Sequence, residues 1–435
     1  MNDELSKVTD VPSTNPGFAY AADIARLQRT GPLGPSDDAW LVLAHALSRF
    51  AELSEEELRQ VVPQSADALA VSAVAMGLAP QCNVLRAARA LRGLYERTSS
   101  PTSRAECMAE LVIATQAMAE EQEVAGAAGL AFAMLSGLMS AFGTGIPQRA
   151  QGNVLAQLGR AARQLGAGDV ARDMYESAIV VGYECDARDV VARGLLGLGV
   201  LALTRGNYPN ARQQFERALL NADRARDPEL IRTAHHGLLN CALAAGDLDS
   251  AMVNGWNVLR LCIAPDSRAE ALMNMAEICR MTGEYDAAIH VYVVAMEWTS
   301  RRRVRLHALS GALRASVEIQ RVTDARRFLA ELEELLPTET DTFARASIGV
   351  ELAESLLMLG DVDLAATRLD DAIVVAHSGD FHEIVHRAEQ VAATLGAIPA
   401  PAAMAPISKR HRRPHRSEHF RMVLKSLNGL SAATL

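Results

Sequence analysis

Residues 382–386 read His-Glu-Ile-Val-His, the H-E-x-x-H pattern. On a helix, two imidazoles four positions apart share one face and can ligate zinc, with the glutamate beside the first as general base. Catalytic zinc takes a third protein ligand. One group of zinc hydrolases places a further histidine six residues on, with a glycine between; Glu389 and Ala392 stand at those places here. Another group uses a downstream glutamate, and no acid occurs between Glu389 and Glu418. The charged Arg387 follows the pattern directly, and His411 and His415 fall in a proline-broken basic run. A zinc hydrolase through His382, Glu383 and His386 therefore ranks behind what the rest of the chain supports. No glycine-rich phosphate loop, nucleophile elbow, kinase signature or helix-turn-helix accompanies it.

The elements that would carry these residues are helices. Apolar residues make up 49% of the 435 and aromatics only 4%, with alanine and leucine dominant. Both are strong helix formers, and small side chains let helices approach closely. At this length one compact core gives way to several domains or a repeat array. From position 400 on, seven Lys or Arg face one acid, Glu418, so the tail is net +6 and the remainder −15 within a total of −9. An acidic body disfavours a nucleic-acid surface there. None of the six cysteines forms a C-x-x-C pair, and they read as small buried hydrophobes in a reducing compartment. The polar start "MNDELSKVTDVPSTNP" and the lack of a membrane-length apolar window predict a cytoplasmic chain without a transmembrane segment.

Five segments align internally: "QLGAGDVARDMYESAI", "TRGNYPNARQQFERAL", "AAGDLDSAMVNGWNVL", "MTGEYDAAIHVYVVAM" and "MLGDVDLAATRLDDAI". Each has a glycine turn and an alanine five residues on; a larger residue four later and a further alanine usually follow. Gly206, Ala211, Phe215 and Ala218 show it, as do Gly283, Ala288, Tyr292 and Ala295. Upstream of each glycine a second amphipathic stripe recurs, as in Leu195, Leu198, Gly199 and Ala202. A small residue seven before the turn lets paired helices close up. The glycines at 166, 206, 246, 283 and 360 leave one gap that holds a degenerate copy, in which Gln320 replaces glycine while Ala325 and Pro337 keep their places. Leu395-Gly396 continues the period, placing the H-E-x-x-H residues on a solitary last helix with Val385, Ala388 and Ala392 buried.

Leu195, Leu198, Gly199, Ala202, Gly206, Tyr208, Ala211, Phe215 and Ala218 together resemble the tetratricopeptide repeat (TPR), over roughly residues 150 to 397. The period is longer than that family's, and its first-helix tryptophan is replaced. The resemblance implies an all-α, right-handed α-solenoid of TPR-like helix–turn–helix repeats whose concave groove, lined by first helices, takes a protein or peptide ligand. The matching positions are Arg160 and Arg163 in the first full copy, Arg193 in the next, and His236 and Asn240 after that. Asn274, Glu277 and Arg280 follow, then Arg314, with Glu383 and His386 on the last helix. Arginine and asparagine offer several donors in fixed geometry to backbone groups and carboxylates. The set differs from the lysine- and asparagine-rich clamp of chaperone-binding members.

The expected organisation is a flexible segment 1–35, degenerate helical hairpins 36–148, the array with its capping helix 149–397, and a basic, largely disordered tail 398–435. Ser54–Glu57 and Ser103–Glu106 read as capping boxes. After the tail's basic run, 409–416, a short apolar helix with Phe420, Val423, Leu424 and Leu427 is expected to dock on a partner or on the end of the array. The expected function is a non-catalytic binding scaffold, adaptor or regulator without a cofactor. The alternative is a sensor of transcription whose basic run contacts nucleic acid or an anionic surface.

Overall fold

The computed structural model describes residues 39–95, 100–379, 381–396 and 416–430. The expected flexible segment 1–35 and the basic run, Arg416 apart, lie outside them. Among the described residues nineteen α-helices follow one another: α1 (Ala39–Phe50), α2 (Glu55–Ala75), α3 (Asn83–Tyr95), α4 (Pro101–Val124), α5 (Ala128–Phe142), α6 (Gln148–Gln164), α7 (Gly168–Glu184), α8 (Arg188–Thr204), α9 (Tyr208–Ala225), α10 (Pro228–Ala244), α11 (Leu248–Leu261), α12 (Pro265–Met281), α13 (Tyr285–Trp298), α14 (Arg302–Glu318), α15 (Val322–Leu335), α16 (Thr342–Leu359), α17 (Val362–Ser378), α18 (His382–Gly396) and α19 (Glu418–Asn428). The chain divides into two compact units, one ending at Gly237 and the other beginning at Leu238.

Each repeat turn is closed in the same way. Gly166, Gly206, Gly246, Gly283 and Gly360 take φ between 70 and 85°, the left-handed region that costs a side chain but not glycine. The next residue's N–H then returns to a carbonyl five residues back, as in Asn207 to Ala202 (2.9 Å), Glu284 to Cys279 (2.8 Å) and Asp361 to Leu356 (2.9 Å). Gln320 makes the same turn at φ 58°, with Arg321 bonded to Ser316 at 2.9 Å. Gly126 does so as well (φ 83°, Ala127 to Gln122 2.8 Å), so α4–α5 is a further hairpin, with Ala131 and Leu135 at the repeat's places. We call the helix before each turn A and the one after it B. Successive A helices touch within each unit: α4, α6 and α8 in the first, and α12, α14, α16 and α18 in the second.

What sets the distance between A helices is visible nine residues after each turn. There Tyr175, Phe215 and Tyr292 project from B helices into notches whose next A helix carries Gly197, Gly237 and Gly311, each nine before its own turn. A Cβ on Gly311 would stand 2.2 Å from the Tyr292 ring, one on Gly197 2.2 Å from Tyr175, and one on Gly237 2.5 Å from Phe215. Where Leu135, Gly255, Leu329 or Leu369 holds that B-helix place, the paired A-helix residue is Gln157, Asn274, Glu351 or Arg387.

The N-terminal helices do not simply extend the stack. Helix α1 packs on α2 and also on α5, so that α1–α5 close into a ring of neighbours. A Cβ on Gly137 of α5 would lie 2.9 Å from that of Leu47, and the Phe50 and Phe142 rings meet edge-on at 6.1 Å. The Ser54–Glu57 capping box is present, but the one at Ser103 is not: α4 starts earlier, capped by Ser100 with Pro101 as its first residue. One window, Ala128–Gly145, is long and apolar enough to cross a membrane, contrary to expectation. Its helix α5 packs against α1, α4 and α6, with Met134, Leu135 and Leu138 fully buried.

In the second unit the B helices α11, α13 and α15 have 14 residues, against 17 and 18 for α7 and α9. This shortening accounts for the step from Gly246 to Gly283 being tighter than the steps before it. Helix α19 is the largest departure from the expected tail. It does not dock on the terminal α18 but on the short B helices α11 and α13, where Phe420, Val423 and Leu427 are buried.

Two substitutions test these constraints. Gln320→Gly relieves a left-handed non-glycine residue and should raise unfolding stability by about 1 kcal/mol in urea titration. Gly311→Ala should lower it by about 1–3 kcal/mol through overpacking. Tyr292→Leu, the side chain that three other repeats carry at that place, costs stability of its own through the lost bond to Glu277, but the double variant should lose clearly less than the sum of the two single variants; a strictly additive double variant would refute the notch.

Candidate functional site

In the second unit the A helices bring their polar residues to one face at two recurrent places, six and nine residues before each turn. Helix α12 contributes Glu277 and Asn274, α14 Arg314 and the notch at Gly311, α16 Glu354 and Glu351, and α18 Arg387. The buried stripe of each helix, such as Leu272, Met275, Ala276 and Cys279 on α12, faces the core and leaves these places outward.

The charges form a connected series. Arg280 donates twice to Glu277, at 2.9 and 2.6 Å, and Tyr292 donates its hydroxyl proton to Glu277 at 2.7 Å, its ring lodged in the Gly311 notch. Arg314 lies 3.4 Å from Glu351, which also accepts from Ser310 at 2.6 Å. Arg387 approaches Glu351 at 3.5 Å and donates to both oxygens of Glu354, at 3.1 and 2.7 Å. Burial alone would raise the Glu277 carboxyl, but the Arg280 hydrogen bonds and charge, with the Tyr292 bond, hold it below its ordinary range. Burial, reinforced by Glu277, pushes the Tyr292 hydroxyl well up.

Between α12 and α14 this face opens into a cavity of ≈440 Å³ bordered by Met273, Asn274, Arg303, His307, Arg314 and Glu351. Asn274 and His307 there, both half-buried, make no hydrogen bond among the described residues, and Arg314 makes only its ion pair. Burial lowers the His307 imidazole; Glu351 opposes this and Arg303 adds to it.

The expected groove residues thus meet different fates. Asn274, Glu277 and Arg314 line one cavity, with Arg280 clamped to Glu277 at its edge. In the first unit Arg160 is paired with Glu123 of α4, the Arg163 charge lies close enough to the Tyr175 hydroxyl to oppose the rise that burial gives it, and Arg193 lies 3.6 Å from Asp227. The arginines expected to be open donors are therefore already engaged. On α10, His236 is exposed and Asn240 half-buried. The first unit's cavity of ≈370 Å³, bordered by Arg172, Leu198, Arg205 and Gln214, contains none of the expected residues. Glu351, Glu354, Arg387, His307 and Tyr292 were not expected, although counting back from each turn would have found the first three.

No family model matches the sequence, and no curated protein does. Solved structures do. A signal transduction ATPase with numerous domains from Pyrococcus horikoshii, described as having a tetratricopeptide repeat sensor, aligns at TM-score 0.54 and 14% identity, over 88% of this chain and 56% of its own. The fold is a TPR-like array. Aspartyl phosphate phosphatase F from Bacillus subtilis (TM-score 0.47, 11% identity, 80% of this chain and 95% of its own) and Pseudomonas aeruginosa pilF (0.42, 17%, 53% and 95%) also align.

Within the array the H-E-x-x-H helix takes a different rotation from that expected. Ile384, Ala388 and Val391 are buried, whereas Ala392 is exposed and Val385 only half-buried. Arg387, not His386, reaches the neighbouring A helix. His386 faces solvent, 3.9 Å from Glu389 and 3.0 Å from the Gln390 amide, and Glu383 is exposed. Among the described residues no three His, Cys, Asp or Glu side chains converge to hold a metal.

His307 supplies a pH test. Its folded pKa lies below the unfolded value of about 6.5, so its share of stability is complete above that pH and is lost as pH falls through the lowered folded value. His307→Gln should flatten the decline of the urea midpoint between pH 7.5 and 5.5; an unchanged slope would place the decline elsewhere.

Proposed function

We propose that the chain is a non-catalytic binding scaffold that holds a protein or peptide segment against the A-helix face of residues 265–396. The observation that carries this is the cavity beside α12 and α14, where, next to a pre-ordered charge network, Asn274 and His307 make neither a hydrogen bond nor an ion pair among the described residues. Both are half-buried and open to the cavity, so a ligand can bond them without breaking a hydrogen bond within the chain. An asparagine amide both donates and accepts, which matches the paired N–H and C=O of an extended backbone. Met273 and Val304 offer apolar contact beside it. The surrounding arginines are fixed by their acids, so little side-chain freedom is lost on binding.

Acid–base chemistry is less well supported. A general acid or base works best with a pKa near the operating pH. Glu277 is held low and Tyr292 is pushed high, so both are locked in one protonation state.

The test is affinity capture from the native cell on immobilised full chain, followed by calorimetry with the segment recovered. Asn274→Ala, which removes no internal hydrogen bond, should weaken binding about tenfold without changing the melt. A partner held equally by both chains, or cross-linked away from Met273, would reject the A-helix face as its site.

A further inference from the structure

Helix α19 is not a member of the repeat. It follows the last A helix after residues 397–415, yet it lies on α11 and α13, well back along the second unit. Its apolar residues are spaced for one face: Phe420, then Val423, Leu427 and Leu430 at three, seven and ten positions on, all buried. Its other face, with His419, Arg421, Met422 and Lys425, is exposed. Two polar contacts fix its ends. Asp249 of α11 accepts from the Ser417 N–H at 3.3 Å and from its hydroxyl at 3.2 Å, and the same hydroxyl caps the helix by accepting from the Phe420 N–H. At the far end the His290 Nε2 of α13 lies 2.8 Å from the Leu430 carbonyl. The Arg416 guanidinium stands 5.1 Å over the Phe420 ring.

We propose that the B-helix face of α11 and α13 is a docking site for an amphipathic helix, and that α19 occupies it in cis as a displaceable plug. The partner that fits is a protein helix with a serine or threonine cap, an aromatic residue, and aliphatic residues three, seven and ten positions after it. Three observations favour a plug over an integral helix. It binds where the B helices are shortest rather than at the open end of the array. Eleven helical residues are ordered for three buried apolar side chains, with Leu430 just beyond the helix as a fourth, and these terms oppose each other at comparable size. Residues 397–415 link it to the last A helix in the same chain, so the site meets it at high effective concentration. Helix-in-groove recognition by such a stripe is a common mode of protein association.

The test uses a labelled synthetic peptide of residues 416–430 and the full chain, wild type and Phe420→Asp/Leu427→Asp, in fluorescence polarisation. The double variant should bind the peptide, and the wild type should bind it at least about 100-fold more weakly, because its own helix competes at high effective concentration. A peptide carrying the same two substitutions should not bind. Equal binding by both chains, or no binding by a double variant whose circular dichroism shows an intact array, overturns the proposal. So does a double variant that fails to fold, since a displaceable helix leaves the hairpins standing. Hydrogen exchange on the wild type gives an independent reading: α19 amides should exchange faster than those of α11 and α13, and equal protection would make the helix integral. A concentration-dependent dimer of the wild type would assign the site to a second copy instead.

Discussion

The steric relation between one B-helix side chain and one residue of the next A helix governs the rest of this structure. An aromatic ring nine residues after a turn needs a neighbour without a Cβ, and Tyr175, Phe215 and Tyr292 each have a glycine opposite. With leucine or glycine in the B helix, the A helix is free to carry a long polar side chain there. The same place in the repeat thus does one of two things. It sets how closely hairpins stack, or it puts a functional group on the outer face. The first unit uses the aromatic form in two successive hairpins, while in the second unit Asn274, Glu351 and Arg387 occupy the outer-face form. Close packing and surface chemistry are alternatives here, decided by a few atoms at a crowded contact.

Tyr292 is where the two roles meet. Its ring needs Gly311, and its hydroxyl passes through that notch to Glu277 on the preceding A helix. Even a half-buried charge is best tolerated when paired and hydrogen-bonded. Glu277 meets that condition through Arg280 and Tyr292 and so presents a fixed acceptor at the edge of the cavity. The chain of pairs through Arg314, Glu351, Arg387 and Glu354 extends this rigidity across three further A helices. A face in which nearly every charge is satisfied leaves its shape and its few open groups as the features that could select a ligand.

Much of this was legible in the sequence, because the repeat writes it several times. The glycine turns, the A and B helices and the degenerate copy at Gln320 all follow from spacing. Asn274, Glu277 and Arg314 fall together because they sit at fixed distances before their turns. The misses have physical causes. Positions carried over from the family's first helices do not include Glu351 and Glu354, the acids that neutralise Arg314 and Arg387. The last helix has no turn glycine in the left-handed region to fix its rotation, so a small shift put His386 where Arg387 belongs. Gly126 went unnoticed because the hairpin around it belongs to a ring of helices rather than to a plain stack. That ring depends on contacts between α1 and α5 that lie far apart in sequence, and no local pattern reports such a contact.

An open stack of hairpins leaves an apolar surface at each exposed end and along any side where a helix is cut short. This chain meets the two cases differently. The first hairpin is covered by α1, which returns to α5 and buries Leu47 and Phe50. In the second unit α11 and α13 are three residues shorter than α7, and α19 lies against them. Trp256 and Val293 remain only partly buried there, even with Phe420, Val423 and Leu427 joined to the same core. Helix α15 is equally short, yet α19 packs on α11 and α13, so its place is set by the stripe of Phe420, Val423 and Leu427 and by its polar contacts with Asp249 and His290.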